Sequence, residues 1–447
     1  MMDISFGTSG IRGVVGENIT PELALALGRV IAKKRGSRVA VGRDTRPSGA
    51  VLERALIAGI NFLGGSALRL GVVPTPTTAI ATRAGASSGV MITASHNPPR
   101  YNGFKFYNRF GEEISRGEER EIENLLRADK SASAEPNGFG SSFSVGDAVE
   151  KHIELALSLT DRSLIEKKKP KIVVDCGNGA ACSIAPSMLR EAGCRVVGFN
   201  AEPSGAFSRN PEPNSESLED ACAVVRSSGA DMGVGYDADG DRVVVIDERG
   251  EVLGLDEQLS LISGYMLGEK GGSIVSTVEA SLAVKEAVEK NGGNFIITEV
   301  GSRNIAERIR GSGAIFGGEP CGEYIFPDEV LSPDGMLATL KFVELICREG
   351  KLGKLRKGIR KYPMRRAKFS CTDRSASMKG IRDRVIKEFK GDVSERDGVR
   401  IDFRDGWLLV RASGTEPVIR VTCEHKNGKE LDKIFRRTEG IVRGGLA

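Results

Sequence analysis

The sequence predicts an α/β protein: three similar mixed α/β domains built on βαβ units, plus a C-terminal α+β domain, around a central cleft. Three observations predict it. A pattern of strand, polar turn, amphipathic helix, glycine-containing turn and strand recurs three times along the chain. The length, 447 residues, is more than one hydrophobic core fills and suits several domains of ordinary size. From about Tyr362 onward the pattern changes to charged helices around β-type segments.

In chain order, the first unit is Arg38-Val-Ala-Val-Gly42, a helical pattern over Ser48–Leu63 and a strand near Ala67–Leu70. The second is Lys171-Ile-Val-Val-Asp175, a helix over Ser183–Ala192 and Arg195-Val-Val-Gly-Phe199. The third is Ser273-Ile-Val-Ser-Thr277, a helix over Ala280–Lys290 and Asn294-Phe-Ile-Ile297. Each crossover is expected to be right-handed. In the tail, helices at Met378–Phe389 and Leu431–Val442 accompany strands at Val399–Phe403, Trp407–Val410 and Val418–Cys423. The expected domains are residues 1–146, 147–247, 248–362 and 363–447, the last an α+β domain expected to close over the cleft by hinge motion.

Composition narrows the function. Lys and Arg total 64 against 60 Asp and Glu, a formal charge of +4, and no basic stripe points to nucleic acid. Apolar runs such as Ile57–Leu63 are short and interrupted by glycine, and Met1-Met-Asp-Ile-Ser has neither the basic start nor the apolar core of a signal peptide. A cytoplasmic protein with no membrane partner is expected, as a monomer or homodimer. Eight cysteines without a Cys-x-x-Cys pair read as reduced packing residues, and the three histidines, His96, His152 and His425, give no expectation of a zinc site.

Four segments carry chemistry. Thr93-Ala-Ser-His-Asn-Pro-Pro-Arg-Tyr-Asn-Gly-Phe-Lys105 follows the apolar run Gly89–Ile92, and Pro98 and Pro99 stiffen the loop, so Ser95 is expected to be presented to solvent. Asp237-Ala-Asp-Gly-Asp-Arg242 lies between Met232–Tyr236 and Val243–Ile246. Its three carboxylates repel one another unless a cation compensates, and hard oxygen ligands suit Mg²⁺ or Ca²⁺. An EF-hand fits Asp237, Asp239, Asp241 and Glu248 but fails at Arg242, where that loop needs glycine. Arg411-Ala-Ser-Gly-Thr-Glu-Pro-Val-Ile-Arg420 looks like a phosphate cradle, in which Arg411, Ser413, Gly414, Thr415 and Arg420 supply charge and donors. Gly317-Gly-Glu-Pro-Cys-Gly-Glu-Tyr324 carries Glu319 and Glu323 with no lysine nearby, a setting in which carboxylates can accept bonds from sugar hydroxyls.

In this order, and with Gly7-Thr-Ser-Gly-Ile-Arg-Gly13, Val41-Gly-Arg-Asp-Thr-Arg46 and Pro74-Thr-Pro76, these segments resemble the α-D-phosphohexomutase family across essentially the whole chain. The resemblance implies an isomerase that interconverts hexose 6-phosphate and hexose 1-phosphate through a phosphoserine at Ser95 and a 1,6-bisphosphate, itself the expected activator. It implies Mg²⁺ held by Ser95, Asp237, Asp239 and Asp241, and a reacting phosphoryl group lined by Arg12, His96, Lys105 and Arg242. Glu319, Cys321 and Glu323 are then sugar contacts, and the 411–420 loop grips the other phosphate. Lys105 is expected to handle the hydroxyl proton, its pKa lowered among cations, with His96 as the competing choice.

Many family members carry Ser and His where this chain has Cys321 and Glu323, and a basic residue where it has Glu299. Glu-Pro-Cys-Gly followed by Leu331-Ser-Pro-Asp-Gly335 resembles the archaeal branch associated with glucosamine phosphates, with mannose or glucose phosphates as the alternative. Rival readings are weaker. Gly177-Asn-Gly-Ala-Ala-Cys182 follows a strand as a dinucleotide fingerprint would, but lacks the third glycine. A non-catalytic paralogue has no need of an intact Ser95 and three aspartates. A serine hydrolase lacks the Gly-x-Ser-x-Gly elbow, and a phosphatase differs only in admitting water.

Overall fold

The structure, a computed structural model, describes residues 6–7, 9–35, 38–128, 138–371, 373–414 and 417–446. The chain divides into two compact units, Met1–Gln258 with Cys321–Arg356, and Leu259–Pro320 with Lys357–Ala447.

The first unit contains two sheets. One has six strands in the order Ile11–Val14, Tyr101–Asn108, Ser88–Ile92, Arg38–Arg43, Ser66–Val72 and Ser142–Ser144. Arg38–Arg43 runs parallel to both neighbours, whereas Tyr101–Asn108 is antiparallel to both of its own. The Val- and Ile-rich central strands are apolar on both faces, as sheets covered on both sides require. Helices Pro21–Arg35 and Gly49–Phe62 pack on them through Leu23, Leu27, Ile31, Leu52, Leu56 and Ile60. The second sheet has the order Val243–Ile246, Met232–Tyr236, Lys171–Asp175 and Arg195–Phe199; only its first pair is antiparallel. A hairpin, Glu323–Phe326 with Val330–Pro333, leads into the largely buried helix Gly335–Glu349, whose first turn is capped by Asp334.

In the second unit, Ser273–Thr277 pairs in parallel with Asn294–Thr298 and Phe316–Glu319. The C-terminal sheet is wholly antiparallel, in the order Met364–Ser370, Val418–His425, Gly406–Ala412, Val399–Phe403 and Asp392–Ser394. Helices Arg374–Glu388 and Gly428–Leu446 cover it. Trp407 is fully buried; its Nε1 donates to Glu424 Oε2 at 2.6 Å, and the same carboxylate accepts from Leu282 N at 2.8 Å.

All three anticipated βαβ units are present as adjacent parallel strands. The helix expected over Ser183–Ala192 is instead a 3₁₀ turn, Ala180–Ser183, and a short helix, Ala185–Glu191. Pro186 lacks an N–H and fits only the first turn, so the helix restarts there. The tail has two strands beyond the three expected. Met364–Ser370 reads as polar because it is a mostly exposed edge strand, and Asp392–Ser394 is too short to show a pattern. Among the described residues no helix is long and apolar enough to cross a membrane.

Candidate active site

Ser95 sits three residues beyond the strand Ser88–Ile92, in the left-handed region at φ +49°, where a non-glycine residue needs outside support. Arg46 supplies it. Its guanidinium is completely buried and donates to four backbone carbonyls: Ser95 at 2.6 Å, Asn97 at 2.7 Å, Pro98 at 2.8 Å and Tyr101 at 3.0 Å. Asp44 holds Arg46 Nε at 3.0 Å and accepts from Thr93 Oγ1 at 2.7 Å, and Thr93 Oγ1 in turn accepts from Ser95 N at 2.8 Å. The loop is therefore fixed from both sides by one buried ion pair.

Contrary to expectation, Ser95 is buried, with 1% of its surface exposed. Its hydroxyl donates to Asp237 Oδ2 at 2.7 Å and lies 3.2 Å from His96 Nδ1.

The aspartates lie on the tight turn between strands Met232–Tyr236 and Val243–Ile246. Asp237, Asp239 and Asp241 are buried, with carboxylate oxygens within 4.8 Å of one another. Lys105 comes from the antiparallel strand Tyr101–Asn108; its Nζ donates to Asp239 Oδ2 at 2.8 Å and also to Asp241. Thr75 Oγ1 donates to Asp239 Oδ2 at 2.6 Å. Backbone N–H groups of Gly240 and Arg242 point to Asp237 Oδ1, at 3.0 and 3.3 Å. The second oxygens, Asp239 Oδ1 and Asp241 Oδ1, are buried with no hydrogen-bond partner. Three hard carboxylates, two of them with an orphaned buried oxygen, fit a divalent cation of the Mg²⁺ class.

The electrostatics follow from this crowding. Burial, reinforced by Asp239 and Asp241, pushes the Asp237 carboxyl well up. Burial and Asp239 likewise push Asp241 up to about 6, whereas for Asp239 the effect of burial is outweighed by Lys105, which holds its carboxyl below the usual range. Burial alone would lower the Lys105 pKa, but Asp239 and Asp241 outweigh it and raise it well above the ordinary lysine value. The expectation that Lys105 titrates near neutrality is thus corrected: its nearest neighbours are carboxylates, not cations. His96 goes the other way, held down at about 2 by burial and by Arg242 and Arg12, so its imidazole is neutral.

Arg12 lies on the strand paired with Tyr101–Asn108, opposite Gly103, and donates to Asn97 Oδ1 at 3.3 Å. Arg242 grips Glu323 at 2.9 and 3.0 Å, so an arginine from the aspartate loop compensates the 317–324 segment, which has no lysine of its own. Gly322 makes that contact possible: it adopts φ +91°, and a Cβ there would meet Val243 O at 2.7 Å. Cys321 opens the same loop. The structure therefore gathers Arg12, Ser95, His96, Lys105, the three aspartates, Arg242 and Glu323 within the first unit. The Gly177-Asn-Gly turn braces the aspartate loop: Ala180 N donates to Ala238 O at 2.8 Å, and a Cβ on Gly179 would meet that oxygen at 2.6 Å.

In the second unit Arg411 and Arg420 are direct partners across an antiparallel ladder and share one face. Arg411 Nε donates to Glu279 Oε1 at 2.8 Å and its NH1 lies 3.5 Å from Asp397 Oδ2. Ser413 and Gly414 form the turn beyond it, with Ser413 N donating to Val418 O at 2.9 Å; Thr415 lies outside the described residues. Glu319 accepts from Gly301 N at 2.9 Å, and Glu299 from Thr298 Oγ1 at 2.8 Å. Sequence reasoning did not assign roles to Asp44, Arg46, Thr75, Glu279 or Asp397. The Val41–Arg46 segment was visible as a motif, but nothing local shows that its arginine reaches a loop 50 residues on.

Four domain models of one family match in succession: phosphoglucomutase/phosphomannomutase α/β/α domains I, II and III at residues 3–133, 150–250 and 255–362, and the C-terminal domain at 368–440. A Methanopyrus kandleri protein named "Probable phosphoglucosamine mutase" is 42% identical over 98% of this chain and 97% of its own. A Pyrococcus horikoshii protein of the same name is 39% identical over 98% and 97%. Among solved structures, a phosphoglucomutase/phosphomannomutase family protein from Burkholderia thailandensis superposes with a TM-score of 0.87 at 27% identity, covering 99% of this chain and 98% of its own. An Aspergillus fumigatus N-acetylphosphoglucosamine mutase, solved with GlcNAc-6P and magnesium, shares the fold with a TM-score of 0.60 at 16% identity, covering 99% and 96%. With its whole length matched and its serine loop set against the aspartate cluster, the chain belongs to the phosphoglucomutase/phosphomannomutase family and is a phosphohexomutase.

Proposed function

We propose that this phosphohexomutase interconverts glucosamine 6-phosphate and glucosamine 1-phosphate through a phosphoserine at Ser95 and a hexose 1,6-bisphosphate. The observation that carries the reading is the 2.7 Å contact of Ser95 Oγ with Asp237, inside a buried cluster that also holds Lys105. The sugar preference rests on the names of the archaeal relatives. With glucosamine 6-phosphate, the sugar's O1 attacks the Ser95 phosphorus, the bond from phosphorus to Ser95 Oγ breaks, and the hydroxyl proton passes to a base. The bisphosphate then returns its 6-phosphoryl group to Ser95 Oγ as the bond from phosphorus to O6 breaks and O6 takes up the proton from the base, so atoms and charge balance over two transfers.

Asp237, Asp239 and Asp241 would hold Mg²⁺ beside the phosphorylated Ser95. When bound, that ion neutralises phosphoryl charge and acts as a Lewis acid. Lys105, Arg12 and Arg242 serve as fixed cations around the transferred group, stabilising charge without needing to move. The neutral His96 imidazole, 3.2 Å from Ser95 Oγ, serves as a hydrogen-bond partner there, since a pKa held at about 2 makes it a poor acceptor for the sugar's hydroxyl proton. Glu319, Cys321 and Glu323 are proposed sugar contacts. Arg411, Ser413, Gly414, Thr415 and Arg420 are proposed to bind the phosphate not being transferred, which must displace Glu279 and Asp397 from Arg411. The free thiols of all eight cysteines agree with a reducing, cytoplasmic setting.

Phosphorus NMR tests this reading. The chain is supplied with Mg²⁺, a trace of glucose 1,6-bisphosphate and, in parallel, glucosamine, mannose or glucose 6-phosphate. The 1-phosphate signal is expected to grow fastest from glucosamine 6-phosphate. Faster conversion of mannose or glucose phosphate overturns the sugar assignment, and release of inorganic phosphate alone overturns mutase action.

A further inference from the structure

A second set of ionisable side chains converges in the first unit, apart from the phosphoryl-transfer cluster. His152 on the helix Ala148–Ser158, Glu329 in the turn before strand Val330–Pro333, and Asp334 at the cap of helix Gly335–Glu349 are all fully buried. His152 Nε2 lies 2.7 Å from Asp334 Oδ2 and 3.7 Å from Glu329 Oε1. One ligand atom from each residue can be chosen so that all lie within 4.8 Å of one another.

The surroundings leave these atoms available. Asp334 Oδ1 is occupied by the helix cap, accepting from Met336 N at 2.6 Å and Leu337 N at 3.0 Å, which leaves Oδ2 for the cluster. His152 Nδ1 faces Thr77 Oγ1 at 2.8 Å, so the ring orientation is set from behind, as in metal-bound histidines. Neither carboxylate oxygen of Glu329 accepts a hydrogen bond, although the side chain has no exposed surface; without a cation, only a proton on Glu329 shared with Asp334 would pair it. Orphaning both oxygens of a buried carboxyl is costly, and a simple His–Asp bridge has no use for one 3.7 Å away. A cation would give it a use.

We propose that His152, Glu329 and Asp334 form a second, structural divalent-cation site, selective for a transition ion of the Zn²⁺ type over Mg²⁺. An imidazole nitrogen with two carboxylate oxygens is a donor set for Zn²⁺, whereas Mg²⁺ prefers oxygen alone and keeps its waters. Zinc bonds of about 2.0–2.2 Å in a tetrahedron set ligand atoms about 3.4 Å apart. The 2.7 and 3.7 Å separations fall on either side of that spacing, so the Nε2–Oδ2 pair would open by about 0.7 Å and the Nε2–Oε1 pair would close by about 0.3 Å.

In the loaded site the two carboxylates balance a dication, and the Thr77 hydroxyl accepts the bond from His152 Nδ1–H. The ion would tie together helices Thr75–Gly85, Ala148–Ser158 and Gly335–Glu349. The first of these begins at Thr75, which bonds Asp239 of the aspartate loop. The sequence hides the set because its three ligands are neither adjacent nor in a metal-binding spacing.

The test uses the full chain carrying Asp237→Asn and Asp241→Asn, so that the aspartate loop does not compete for the ion. It is loaded with Zn²⁺, dialysed against metal-free buffer, and its zinc measured by plasma mass spectrometry. About one equivalent per chain is expected, falling at least tenfold when Glu329→Gln is added. Gln keeps the size of Glu329 without adding a charge, so this variant is expected to fold, which circular dichroism checks. No retained zinc, or equal retention after Glu329→Gln, overturns the proposal. If Glu329→Gln does not fold, anomalous scattering at the zinc edge from crystals of the natural chain grown with Zn²⁺ decides. A peak among the three side chains supports the site, and its absence overturns it.

Discussion

Ser95 is held in a left-handed conformation that a serine does not choose, and the residue that holds it is Arg46. Removing that guanidinium takes a donor from each of four carbonyls, of which Pro98 O keeps Tyr101 N, and leaves Asp44 as a buried carboxylate without its cation. Arg46→Met is therefore expected to destabilise the chain by on the order of 3–5 kcal/mol, read as a lowered denaturation midpoint. A midpoint unchanged from the natural chain would contradict the clamp. His96 gives a pH-dependent counterpart. Its pKa is depressed to about 2 by burial and the neighbouring arginines, so an unfolded chain binds a proton there that the folded chain refuses. That contribution to stability is complete above about pH 6.5 and is lost as pH falls below it. His96→Gln should shrink the stability lost between pH 7 and pH 5 by about 2 kcal/mol, and an equal loss in both proteins would contradict it. The nucleophile and the aspartates were legible because each falls in a short segment of unusual composition. Asp44 and Arg46 as a clamp were not, because an arginine that bonds carbonyls leaves no pattern around itself.

The elements that carry these residues were legible wherever both strand faces are apolar. Met232–Tyr236 and Val243–Ile246 have the bounds expected from sequence, and the aspartate turn between them follows from their antiparallel pairing. Met364–Ser370 was missed because an edge strand needs little apolar surface, and Ala185–Glu191 was lengthened because the pattern of period 3.6 ran through Pro186. Gly322 shows how an element positions chemistry. Its positive φ lets the loop approach Val243 so closely that Glu323 meets Arg242. Gly322→Ala should cost about 1–3 kcal/mol, the range for a strained backbone position, and should slow turnover more than it weakens substrate binding. Unchanged stability, measured by urea denaturation, would show that the loop is slack.

At the scale of the molecule, order and repetition made the fold readable. Three βαβ patterns and a contrasting tail appear in the sequence as they do in the sheets. What the sequence withheld is which distant side chains meet: Glu279 on Arg411, and Thr75 on Asp239, join segments far apart in the chain. The charge balance of the aspartate cluster also belongs to this scale, since Lys105 arrives from another sheet to offset carboxylates that otherwise repel. One ammonium against three carboxylates leaves net negative charge, so Mg²⁺ should raise the melting temperature of the natural chain and do so less for Asp239→Asn. Equal shifts in the two would place the ion elsewhere.

The central claim is that Ser95 carries the phosphoryl group that is exchanged with the sugar. Its most direct test is intact-mass measurement with peptide mapping after incubation with glucose 1,6-bisphosphate and Mg²⁺, followed by addition of glucosamine 6-phosphate. One phosphoryl group on Ser95, discharged by the sugar phosphate and absent from Ser95→Ala, is the predicted result. A phosphoryl group on another residue, or mutase turnover that persists in Ser95→Ala, would contradict the account.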